Sequence, residues 1–68
     1  MITDTRNNVM AALDEMVDGA HNLRDAVAEC PELDPRLAEA FTRFAGTVEL
    51  EARTNEAILT TVVGEEEA

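Results

Sequence analysis

Lysine is absent from this chain, cysteine occurs once, and aromatic residues are limited to Phe41 and Phe44. Each scarcity removes a class of explanation. With Cys30 as the only thiol, no disulfide can form within the chain, and such sparing use of cysteine fits a reducing compartment. No cysteine–histidine cluster suggests structural zinc. Basic charge is equally scarce. Five arginines face 15 Asp and Glu residues, for a net charge of −10. A field of that sign repels nucleic acid and anionic lipid, so direct binding to either is not expected. It suits a basic protein partner, solubility, or a high-salt cytoplasm; a GC-rich genome would also favour Arg over Lys.

Long hydrophobic runs are missing too. The longest uncharged stretch is Ala57 to Gly64, far below the roughly 20 apolar residues a membrane span needs. The first residues lack a basic region followed by an apolar run, the pattern of a signal peptide. A cytoplasmic location is expected.

The 68 residues suffice for one domain. So short a chain buries only about 60% of its unfolded surface and is marginal alone. Disulfides, metals or oligomerisation normally make up the deficit; with no disulfide within the chain and no structural zinc cluster, oligomerisation or docking on a larger partner is left.

Both prolines fall in one hexapeptide, Cys30-Pro31-Glu32-Leu33-Asp34-Pro35. Proline breaks a helix interior and pushes the residue before it out of the α region. The break divides the chain into helix 1 over about 3–30, a loop over 31–34 and helix 2 over about 35–63. Thr3 or Asp4 can cap helix 1. Asp34 reads as an N-cap and Pro35 as the first helical residue, where its missing N–H costs nothing. Gly64 reads as the stop, which closes a hairpin over 1–64 and leaves 65–68 as an acidic, frayed tail. So short a linker makes the helices antiparallel.

Apolar periodicity is the strongest signal. In helix 1, Ile2, Arg6, Val9, Leu13, Met16, Ala20, Leu23, Val27 and Cys30 alternate four and three apart, a heptad seam with only Arg6 polar. Small residues (Thr5, Ala12, Gly19, Ala26) line one flank, and Met10 and Val17 the other. In helix 2 the seam is Leu37, Phe41, Phe44, Val48, Glu51, Asn55, Ile58 and Val62, beside a column of Ala38, Ala45, Ala52 and Leu59. Such a stripe is wider than a two-stranded seam requires. Two helices cannot cover it, but two hairpins can. The expected fold is therefore all-α, an antiparallel hairpin pairing as a homodimer into a four-helix bundle. The expected core and oligomer interface is Val9, Leu13, Met16, Leu23, Val27, Leu37, Phe41, Phe44, Val48, Ile58 and Val62, with the two phenylalanines facing Leu23 and Val27 near the loop.

Chemistry-bearing residues are few. Glu51 and Asn55 interrupt the helix 2 seam and, with Arg6, suggest a polar layer that fixes register. Asp18, His21 and Asp25 share one side of helix 1 and are weak candidates for a cation site; a solvated face is the plainer reading, and the ExxH pairs of di-iron bundles are absent. Cys30 has no base within reach, as a nucleophile would require, and reads as a small packing residue. Thr47, Thr54, Thr60 and Thr61 suggest a helix contact or a partner interface. Glu39–Arg43 and Glu49–Arg53 form favourable i,i+4 pairs. Most other acids are uncompensated, and Asp14, Asp18, Asp25 and Glu29 form a possible acidic partner surface.

No enzyme, cofactor or small-molecule substrate is expected from these residues. The expected role is a non-catalytic interaction or assembly protein that binds itself, a larger protein, or both. The alternative is an acidic inhibitor of the phage anti-defence or regulator type, whose carboxylates imitate nucleic acid and block a basic site on a target.

Overall fold

A computed structural model describes residues 3–67, with side chains for residues 3–64. Two helices, α1 (Thr3–Ala28) and α2 (Pro35–Glu67), pack against each other as an antiparallel hairpin. Ile2, assigned to the helix 1 seam, and Ala68 of the tail lie outside the described residues.

The proline hexapeptide turns the chain as its chemistry requires. At the end of α1 the Glu29 N–H still donates to the Asp25 carbonyl (3.0 Å), and the Cys30 N–H tightens onto Val27 (3.2 Å). A turn with Pro31 at its second position follows, closed by the Leu33 N–H on the Cys30 carbonyl at 3.2 Å. Asp34 caps α2: its Oδ1 accepts from the Arg36 N–H at 2.8 Å, and its carbonyl receives the first helical bond, from Ala38, at 2.9 Å. Gly64 does not end the helix. No glycine among the described residues takes the positive φ of a helix stop, and α2 continues through it to Glu67. The tail expected at 65–68 thus begins inside a helix.

The seam between the helices differs from the expected one by a rotation. Buried apolar residues are Val17 and Ala20 on α1, and Ala45, Ala52, Leu59 and Val63 on α2. None of them belongs to the eleven-residue core expected from the sequence. Leu13, Leu23, Val27 and Val48 of that set are half-buried, and Val9, Met16, Leu37, Phe41, Phe44, Ile58 and Val62 are exposed within the single chain. On α1 the observed stripe is Arg6, Met10, Leu13, Val17, Ala20, Arg24 and Val27, which keeps one expected column and exchanges the other for its neighbour. On α2 it lies one residue later throughout, on Ala38, Ala45, Glu49, Ala52, Glu56, Leu59 and Val63.

The cause is size. The alanine column of α2 (Ala38, Ala45, Ala52) lets α1 approach closely, and α1 turns Met10, Leu13, Val17 and Ala20 towards it, whereas its own small column of Thr5, Ala12, Gly19 and Ala26 stays exposed. Phe41 and Phe44, 39% and 60% exposed, therefore do not form a core with Leu23 and Val27 inside the hairpin. Cys30 is exposed as well, with its thiol 3.4 Å from Glu32 Oε2. The two helices make a single layer, 53 × 16 × 10 Å in extent, with a radius of gyration of 15.6 Å. A compact chain of this length has about 11 Å.

Candidate interaction surface

Closing on the alanine column of α2 gives the hairpin two unlike sides. One carries Val9, Met16, Phe41, Phe44, Ile58 and Val62, all exposed. Towards the open end, where α1 begins and α2 ends, this side sinks into a groove of about 300 Å³ lined by Val9, Leu13, Asn55, Ile58, Leu59 and Val62. Towards the loop it rises in the two phenyl rings, which occupy the heptad positions of Ile58 and Val62 two and three heptads earlier. Glu51 lies between these regions and Asn55 on the groove's edge nearer to it, both exposed. The Asn55 amide donates to the Glu51 carbonyl of its own helix at 2.7 Å. Arg6, the third residue assigned to a polar layer, is half-buried and lines a separate groove of about 460 Å³ with Met10, Thr60 and Val63.

The other side is polar apart from the exposed Leu50 and ties the helices together. Glu49, on the α2 seam, is held from both helices: His21 Nε2 lies 3.0 Å from its Oε1, the Arg24 guanidinium donates to Oε2 at 3.1 Å, and Arg53 Nε stands 3.5 Å from Oε1. The hydrogen bond from His21, joined by Arg24, keeps the Glu49 carboxyl below the usual glutamate range against the opposing effect of its desolvation. The anticipated Glu39–Arg43 pair is present at 2.8 Å.

Further along the hairpin, half-buried Glu56 faces the exposed Asp14. Fully ionised, two carboxylates offer acceptors and no donor, and Glu56 Oε1 is covered without a hydrogen-bond partner. A proton shared with Asp14 would relieve the conflict. The hydrogen bond it allows with Asp14, then desolvation, then repulsion from the Asp14 charge raise the Glu56 pKa above its ordinary value, with Arg53 in partial opposition.

His21 is thus a cross-helix partner of Glu49, a role that its place outside the expected seam concealed. Asp18 and Asp25 are exposed beside it, and no group of three or more His, Cys, Asp or Glu among the described residues is placed to hold a metal ion. The threonines have a local use that the sequence reading overlooked: Thr47, Thr54, Thr60 and Thr61 each donate to the carbonyl four residues earlier, at 2.8 to 3.1 Å. No helix among the described residues is long and apolar enough to cross a membrane.

No protein-family model matches this sequence, and neither the curated proteins nor the solved structures contain a significant match to it. The surfaces themselves carry the functional reading.

Proposed function

We propose that this chain is a non-catalytic assembly protein that works as a homodimer. Two hairpins close their apolar sides on each other as a four-helix bundle, leaving the acidic sides outward for a partner. The supporting observation is area. The chain exposes 5020 Å², whereas a globular monomer of 7.4 kDa exposes about 4200 Å² by the usual scaling of surface with mass. The excess of about 800 Å² is what each partner contributes to an interface of standard size. Bulky apolar residues are concentrated on the side that is uncovered, and contiguous exposed patches of this kind mark interaction surfaces.

Light scattering at low and high salt tests the reading. It predicts a mass twice 7.4 kDa in both. A folded monomer would contradict the homodimer and reassign the apolar side to a different protein.

A second reading, inhibition of a nucleic-acid-binding target by an acidic surface, draws on Asp18, Asp25 and Glu29. All three are exposed and have no ion pair within the described residues. It requires binding to a basic target that weakens steeply with salt; salt-insensitive binding excludes it.

A further inference from the structure

We propose that the two hairpins dock with their loops at opposite ends, so that Phe41 and Phe44 of each copy enter the groove between Val9, Leu13, Ile58 and Val62 of the other. The inference rests on the homodimer proposed above and adds the direction in which the copies lie.

The apolar side is uneven in a way that complements itself. Its rings project at the loop end, and its groove opens at the other end. The groove is open to solvent, and its volume of about 300 Å³ is on the scale of two phenyl groups, an enclosed cavity of about 150 Å³ taking one benzene ring. A two-fold axis makes every contact occur twice, with the same patch used on both copies. A perpendicular axis midway between Phe44 and Ile58 also lies midway between Phe41 and Val62, so one operation seats both rings on both sides. Docking with the loops together is the alternative. It gathers four rings at one end and sets two grooves against each other at the opposite end. Apolar voids forfeit packing contacts, because protein interiors hold few spaces larger than a water molecule. The loops-apart arrangement fills the grooves with rings from the same surface.

The same axis passes beside Glu51, which is exposed on this side. Two Glu51 carboxylates then approach each other across the interface, and like charges so placed oppose association. Loops-together docking instead sets Glu51 opposite the partner's α1, because cross-helix pairs such as His21–Glu49 put Glu51 level with Gly19.

The native cysteine provides the test. Cys30 is exposed at the loop end and accepts a spin label in the unaltered sequence. It stands about 11 residues from the axis, or roughly 17 Å along the helix at 1.5 Å per residue. Pulsed dipolar spectroscopy on the labelled dimer should therefore give a label–label distance of about 30–40 Å. Loops-together docking brings the labels within about 20 Å, given interhelix spacings of 8–10 Å, and that result in a dimer overturns the inference while sparing the proposed assembly. A monomer by light scattering removes both. As an independent check, Glu51→Gln should tighten the dimer several-fold in sedimentation equilibrium, and Asp25→Asn, with the same change of charge away from the interface, should not. Equal effects of the two substitutions would contradict the axis position.

Discussion

Replacing Ala45 by leucine should damage the hairpin more than any similar addition on its outer surface. Ala45 is 0% exposed and faces α1 from the middle of the alanine column. Its side chain has nowhere to grow without pushing the helices apart or forcing neighbours off their rotamers. Overpacking of this kind costs about 1–3 kcal/mol. The total at stake is small: at about 0.05–0.15 kcal/mol per residue, a chain of this length has roughly 3–10 kcal/mol. The substitution therefore removes a large share of the stability. Urea unfolding followed by far-UV circular dichroism reads the effect. With a slope of about 1 kcal/mol per molar, the midpoint should fall by about 1–3 M. Ala57→Leu, an exposed position on the same helix, should leave it in place. Both variants must be compared at one protomer concentration, because association adds to apparent stability. Equal midpoints for Ala45→Leu and Ala57→Leu would refute the placement of the seam.

Three further predictions follow from local geometry. Asp34→Ala removes the cap on the Arg36 N–H and should cost about 1 kcal/mol in urea unfolding, while Asp34→Asn should retain most of that stability. Gly46→Ala should stabilise by up to about 1 kcal/mol through helix propensity, since an added Cβ meets nothing within 4 Å; a destabilised variant would mean that an unseen neighbour packs there. Because the Glu56 pKa is raised in the fold, the folded state holds this proton more tightly than the unfolded one. Stability from this site is present below the ordinary glutamate pKa and is lost as pH rises through the raised value. Glu56→Gln should accordingly raise the thermal midpoint at neutral pH and flatten its decline over that range, whereas an unchanged profile would contradict the Asp14–Glu56 contact.

The hairpin was legible in the sequence because its signals are local. The prolines of 30–35, the Asp34 cap and the heptad spacing each act within a turn or two. The seam was harder to place because both stripes are three columns wide, and adjacent columns fit the same four-three spacing. Ranking by hydrophobicity favours Phe41, Phe44 and Ile58, whereas close approach of two helices favours Ala45 and Ala52. What settles the matter is a cross-helix consideration: antiparallel pairing sets Arg24 and His21 level with Glu49. That complementarity was present in the sequence but visible only once the helices were aligned. Gly64 misled for a related reason, since glycine permits a stop without imposing one. The pairing of Asp14 with Glu56 opposes elementary electrostatics, although the alignment that sets His21 level with Glu49 also sets these two level, one heptad further along.

The most direct test of the account is sedimentation equilibrium of the parent chain beside Phe44→Asp, with circular dichroism on both. Phe44 is 60% exposed in the single chain, so the hairpin itself should tolerate the change, whereas a charge buried in an apolar interface is strongly unfavourable. The account predicts a dimeric parent and a helical, monomeric variant. A variant that remains dimeric, or a parent that is a stable monomer, would contradict the claim that this apolar side is where two copies meet.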